Sequence, residues 1–362
     1  MKVRIDKSVF ADANDRNKQL ELSFLLHIIL YKERYELKIS DEEILYTEGF
    51  GQLMQSEREY IEHVIEMDIV TSSNSYDCEV KTGGEAEYTQ KVFSAEEAII
   101  YLLQPLSVIL ENGLNDSYFM NAVFKLFDAT GLLTRFVKEG WIRYENAGGC
   151  MNVKNFLKAR VLQFAGKQKF LRCFVLLDGD RRYPTDVMAD EKYKKLKEQM
   201  DTWRVGYHVL EKRCMENYMP DEAMREVAGK EFQEWFNAYK NLSPVQKDFF
   251  SIAKGFEADI TKEDKKVVLR KESLLTNKDK RRKKSYVKVF LPHEEQLFYA
   301  SVSTGNFLHL EKGLKIGNFK VRFPEMFGNT VFIYKANLLQ RTCHQNDPQE
   351  LLHIAQAVIA AI

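Results

Sequence analysis

The chain has 362 residues, long enough for one large domain or for two to three smaller ones. Hydrophobic residues make up 45% of it and charged residues 29%, the balance of a folded chain and not of a disordered or fibrous one. The 53 Lys and Arg cancel the 53 Asp and Glu, so any nucleic-acid site has to be a local patch and not a global field.

No apolar run is long enough to span a bilayer, so no membrane partner is expected. The start, Met1-Lys2-Val3-Arg4-Ile5-Asp6, is charged and lacks the apolar centre of a signal peptide, which makes the cytoplasm the default expectation. Cys78, Cys150, Cys173, Cys214 and Cys343 are scattered, with no pair at metal-ligand spacing. That argues for free thiols and against a zinc ribbon or a disulfide framework.

In chain order, residues 1–103 mix helical and extended signals and form an accessory region to which no chemistry attaches. Leu20, Leu22, Phe24, Leu25, Leu26, Ile28, Ile29 and Leu30 make a dense apolar run that suits a buried helix, and 56–68 a charged helix. Loop signals lie at 72–76 and at Gly83-Gly84. Ser94, with Glu97 three residues on, reads as a capping box that starts a helix.

From residue 105 the pattern changes. Apolar residues 106–110 suit a strand buried on both faces, and it ends in Glu111. After a turn at 112–116, Tyr118, Phe119, Ala122, Val123, Leu126 and Phe127 fall at helical spacing. Residues 141–144 predict a second strand. Ala147-Gly148-Gly149, then Val153, Phe156, Leu157 and Phe164, predict a second helix. Residues 171–177 predict a third strand that ends in Asp178-Gly179-Asp180, and 205–210 a fourth. Strand and helix in alternation predict an α/β fold over 104–220, a parallel sheet with crossover helices.

Residues 221–285 read as a helical and basic insertion, helical to about 256 and then rich in lysine, with Lys280-Arg281-Arg282-Lys283-Lys284 near its end. Residues 286–362 form a C-terminal region expected to pack on the sheet. It holds a strand-like run at 286–291, Gly313, Gly317, Phe323-Pro324, and a closing helix from 348 that carries Leu351, Leu352, Ile354, Ala355, Val358 and Ile359. No internal repeat is visible.

The acidic residues carry the chemistry. In an open parallel sheet, side chains at the carboxyl ends of the strands converge on one edge. Glu111 ends the first of these strands, and Asp178 and Asp180 end the third. Carboxylates gathered at one edge repel one another unless a cation neutralises them, and oxygen ligands select hard ions such as Mg²⁺ or Mn²⁺. An Asp-Gly-Asp standing alone is commonly a turn. Its pairing with Glu111 across the βα array is what gives it meaning.

Two segments then resemble a known family. Val108-Ile109-Leu110-Glu111-Asn112-Gly113-Leu114-Asn115-Asp116 resembles the first TOPRIM motif, a strand ending in Glu followed by a Gly-containing turn and an Asp. Phe174-Val175-Leu176-Leu177-Asp178-Gly179-Asp180-Arg181-Arg182 resembles the second, the Asp-x-Asp motif. Ala147-Gly148-Gly149 looks like the small turn between them. Glu216-Asn217-Tyr218 is similar to the Glu-Asn-Tyr element of the bacterial-defence branch, the OLD-type and DUF4435-like TOPRIM proteins. The resemblance covers 104–220 well, 286–362 loosely and 1–95 not at all. In one respect the chain departs from the pattern: the Asp usually stands four residues after the Glu, where this chain has Asn115, with Asp116 one later.

The resemblance implies a metal-dependent nuclease acting on DNA or RNA. Glu111, Asp116, Asp178, Asp180 and Glu216 are its implied metal ligands, and Lys320 or Lys315 its charge-stabilising group. Arg181, Arg182, Lys280, Arg281 and Arg282 are candidates for phosphate contacts, against the plainer reading of solvated charges. No Gly-x-x-x-x-Gly-Lys-[Ser/Thr] loop occurs. OLD-type proteins carry their own ATPase, so a separate ATPase or sensor is an implied partner. Assembly of identical chains is left open. The alternatives are a silent TOPRIM interaction subunit, or a primase- or topoisomerase-type enzyme, whose accessory modules are not evident.

Overall fold

The computed structural model describes residues 1–31, 34–39, 41–71, 75–83, 91–163, 170–280 and 282–362. Arg281, Phe164, Gly84 and the loop signal at 72–74 lie outside the described residues.

Residues 1–103 build a parallel sheet of their own. Strands β1 (Lys2–Ile5), β2 (Glu36–Lys38), β3 (Cys78–Val80) and β4 (Lys91–Phe93) lie in the order β2-β1-β3-β4. Helix α1 (Arg16–Leu30) is the apolar run of the sequence, capped by the Asp15 carboxylate, with Leu22, Leu25, Leu26 and Ile29 in the core. Helix α2 (Gln55–Thr71) is the charged one. Helix α3 (Ala95–Leu103) opens on the Ser94/Glu97 capping box, both of whose hydrogen bonds form. Three of the four strands have only three residues, too short for alternation to register in the sequence.

The second sheet follows. Strands β5 (Leu106–Leu110), β6 (Ile142–Asn146), β7 (Cys173–Leu177) and β8 (Gly206–Val209) are all parallel, in the order β6-β5-β7-β8. They alternate with α4 (Gly113–Phe127), α5 (Cys150–Gln163) and α6 (Val187–Thr202). Every residue of β5 and β7 is buried, because helices cover both faces of this sheet. One face sends Val108, Leu110, Phe174 and Leu176 against Phe119 and Val123 of α4. The other sends Ile109, Val175 and Leu177 against Val153 of α5 and Leu196 of α6. The two sheets share one strand order although the sequence shows no repeat.

The units meet around two arginines. The Arg34 guanidinium lies 3.9 Å from the Trp141 ring centroid and donates to the Gln104 carbonyl at 2.6 Å. Buried Arg172, just before β7, donates to the Tyr101 and Ile362 carbonyls and lies over the Tyr35 and Tyr101 rings.

Downstream, α7 (Lys262–Ser273), α8 (Val287–Phe290), α9 (Phe319–Glu325) and α10 (Glu350–Ala361) belong to a helical region that shares the core of the α4 face. The strand-like run at 286–291 is a helix. The Lys271 ammonium lies 5.6 Å from the Tyr286 ring and 5.3 Å from the Phe290 ring. In a strand those rings would stand about 13 Å apart, beyond the reach of one ammonium. The segment satisfies its backbone locally, as where the Val289 N–H donates to the Tyr286 carbonyl at 3.2 Å. No described helix is long and apolar enough to cross a membrane.

Candidate metal centre

In this strand order the chain leaves β5 toward β6 on one side and returns to β7 on the other. The crevice beyond the carboxyl ends of β5 and β7 is therefore the topological switch point, where ligands of open α/β sheets bind. Glu111 follows β5 and Asp178 follows β7. The Asp178 backbone N–H donates to Glu111 Oε1 at 3.4 Å, and the Cys150 N–H at the start of α5 donates to Glu111 Oε2 at 3.1 Å. Glu111 is thus aimed by backbone from two other segments.

Asp180 turns away from Asp178. Its φ of 54° lies in the left-handed region, which Asp tolerates better than most residues. Its carboxylate accepts from Lys192 Nζ and from the Tyr193 hydroxyl, both on α6. One ligand atom each from Glu111, Cys150 and Asp180 lie within 4.8 Å of one another. Gly179 lets the chain pass between them. A Cβ there would stand 2.2 Å from the Lys212 carbonyl oxygen and 2.5 Å from that of Leu210. The glycine is required by this backbone approach.

The Glu-Asn-Tyr segment is a 3₁₀ turn over Met215–Tyr218. Its Asn217 is fully buried and donates to the Lys247 and Phe250 carbonyls at 2.7 and 2.9 Å, while the Tyr218 hydroxyl donates to buried Glu350. With both neighbours anchored, Glu216 is held at the cleft, and the Met215 N–H donates to Asp178 Oδ1 at 3.2 Å. Asp116, on the first turn of α4, accepts from the Asn112 N–H at 2.7 Å.

Glu111, Asp116, Asp178, Glu216 and Lys320 line one cleft of about 270 Å³, together with Phe119, Pro324 and Phe327. Lys320 arrives because α9 packs on α4, where Phe327 meets Phe119 edge to face at 5.3 Å between centroids. Burial, and then the charges of Glu216 and Glu111, hold the Asp178 carboxyl well above the usual carboxylate range. Burial, together with those same two charges, pushes Asp116 up to about 7 despite its backbone hydrogen bond. Burial and the Asp180 charge raise Glu111. A divalent cation fits this donor set, because carboxylates that cannot all ionise together are relieved by one.

The structure thus brings together Glu111, Asp116, Asp178, Asp180, Glu216 and Lys320. Arg182 is held by Asp186, through a fork of 2.9 and 3.3 Å to its carboxylate. Lys280 lines a separate cavity beside α7. Cys150, Lys192 and Tyr193 were not foreseen. Only the Gly148-Gly149 turn before Cys150 hints at its place, and nothing in the sequence marks the other two. No family model, curated protein or solved structure matches this chain.

Proposed function

We propose that the chain is a divalent-metal-dependent nuclease of the TOPRIM kind, cleaving phosphodiester bonds in DNA or RNA. The carrying observation is the position of Glu111. It stands at the switch point between Asp180 and Cys150 on one side and Asp116, Asp178 and Glu216 on the other. Such a bridging carboxylate suits two neighbouring ions. Mg²⁺ or Mn²⁺ bound there would lower the pKa of a coordinated water and neutralise charge on the scissile phosphate. Lys320, in the lining of the same cleft, would hold a non-bridging phosphate oxygen. Phe119, Pro324 and Phe327 give the cleft an apolar wall that strengthens these charge contacts. Arg181, next to Asp180, is the nearest candidate in sequence for holding the adjoining phosphate.

The partners belong to this reading as well: a nucleic-acid substrate, and a separate ATPase or sensor in antiphage defence, since the chain has no phosphate-loop motif of its own. The test is cleavage of plasmid DNA, single-stranded DNA and tRNA with Mg²⁺, Mn²⁺ or EDTA, by wild type and by Asp178→Asn. Metal-dependent cleavage lost in the variant is the expected result. Wild-type rates in a folded Asp178→Asn protein would overturn the mechanism. No cleavage and no metal binding by wild type would favour a silent interaction subunit.

A further inference from the structure

Away from the metal centre, a cavity of about 400 Å³ opens between the end of α7 and the turn that follows it. That volume is within the range of small-molecule sites. Helix α7 forms the fixed wall. It is capped by Thr261, anchored by buried Val268, and pinned by Lys271 packing on Tyr286 and Phe290. Leu269 and Leu275 give the cavity an apolar lining, and Lys280, Lys283 and Lys284 bring ammonium groups to it. Glu272 and Ser273 complete the lining, and the charge of Lys283 acts on Glu311.

The base of the cavity holds a second, independent feature. Glu311 is only 5% exposed; Ser285 hydrogen-bonds its carboxylate, yet its Oε1 has no partner among the described residues. Its backbone is fixed, because its carbonyl accepts from the Glu257 N–H at 3.0 Å. A buried acceptor left without a donor costs about 1–3 kcal/mol, so the geometry asks for a ligand that brings one. The ligand must also carry an anionic group that the lysines can share, and an apolar face to lie on the leucines. A nucleotide has all three: a phosphate, amino or hydroxyl donors, and a flat base.

We propose that this cavity is a nucleotide-binding site. The phosphate is held by Lys280, Lys283 and Lys284, the base or sugar donates to Glu311, and the base lies against Leu269 and Leu275. The nucleotide is either free or one unit of a strand. The site is independent of the metal-centre reading.

The test is calorimetric titration of the full chain in EDTA, which takes metal chemistry out of play. The probes are AMP, GMP, CMP, UMP, their nucleosides, inorganic phosphate and a single-stranded hexanucleotide. At least one monophosphate should bind, with its nucleoside and inorganic phosphate about tenfold weaker or worse. Lys283→Ala/Lys284→Ala should weaken it about tenfold, and so should Glu311→Met, which keeps the length of the side chain but removes the acceptor. Asp178→Asn should leave it unchanged. Binding of the hexanucleotide alone, lost in the same variants, would identify the strand as the source. Absence of binding by every probe, phosphate binding as tightly as the nucleotide, or binding indifferent to these variants would overturn the proposal.

Discussion

The Asp178 N–H, at the end of β7, donates to Glu111 Oε1, at the end of β5, at 3.4 Å. This bond ties together the two strands that flank the switch point. It also orients Glu111 with a backbone donor and leaves the Asp178 carboxylate turned toward Met215 and Glu216. Its two residues differ in surroundings: Glu111 is held by two backbone donors, and Asp178 is crowded by like charges.

That arrangement costs stability when no cation is present. The folded-state pKa of Asp178 is raised by burial and by its acidic neighbours, so the unfolded state ionises more readily and the charge opposes folding at neutral pH. Asp178→Asn keeps an acceptor for the Met215 N–H and removes the charge. In EDTA its melting temperature should equal or exceed that of wild type. Wild type should gain several degrees on adding Mn²⁺ and the variant much less. Thermal melts with and without metal check both. A variant that melts well below wild type in EDTA would mean that the carboxylate is satisfied by the protein itself.

A second acid sets a pH dependence of its own. Glu295 is fully buried beside Asp259, and burial and that charge push it up to about 9, against the pull of Arg213 and Arg182. Its folded pKa lies above the unfolded one, so between pH about 4.5 and 9 the unfolded state releases a proton that the folded state keeps. Stability from this group is therefore lost as pH rises through that window, by up to about 1.4 kcal/mol per pH unit. Glu295→Gln should flatten the slope and be the more stable protein at pH 8. Urea midpoints at pH 5, 7 and 9 measure it, and parallel wild-type and variant curves would refute it.

The second sheet was partly legible in the sequence, because its two central strands are five-residue apolar runs, each followed by an acid. Leu106–Leu110 and Cys173–Leu177 are buried on both faces, and such runs read the same way in one dimension as in three. The first sheet was not legible, since three-residue strands carry no period. Glu111 and Asp178 could be paired by strand logic alone. Lys192 and Tyr193 reach Asp180 only through the placement of α6, which depends on packing of Leu196 and Met200 against the sheet. Such a contact leaves no mark in a single sequence. The run at 286–291 misled because an apolar segment so short fits either period.

Gly179 should be the least replaceable residue of the Asp-Gly-Asp segment. Any Cβ meets the Leu210 and Lys212 carbonyl oxygens, and backbone cannot swing aside as a flexible side chain can. Gly179→Ala should cost about 2–3 kcal/mol and pull Asp178 and Asp180 out of register, so metal binding falls with stability. Gly305→Ala, with nothing within 4 Å of the added carbon, is the control and should be nearly neutral. Chemical denaturation of the two variants side by side decides it, and equal stabilities would show that the end of β8 is free to move.

The two lysines of the site should behave oppositely. Lys192 donates to Asp180, so its ammonium stands beside a proposed ligand and repels an incoming cation. Burial lowers its pKa, but the hydrogen bonds and charges of Asp180 and Cys150 outweigh that and raise it, so it stays charged at any working pH. Lys192→Gln should therefore tighten Mn²⁺ binding, by about tenfold for one fewer positive charge at contact distance, with fold retained through Tyr193. Lys320 is exposed at the cleft mouth and, among the described residues, takes part in no ion pair, so its charge is open to substrate. Lys320→Ala should leave Mn²⁺ affinity and melting temperature near wild type, while cleavage falls on the order of a hundredfold, the usual loss for one donor to a transition-state oxyanion. Calorimetry for the metal, melts for the fold and single-turnover rates for cleavage separate the two roles. Lys192→Gln that weakens metal binding would make Lys192 a support for Asp180 and not its competitor. Undiminished cleavage by Lys320→Ala would remove Lys320 from the chemistry and leave the carboxylates as its only proposed agents.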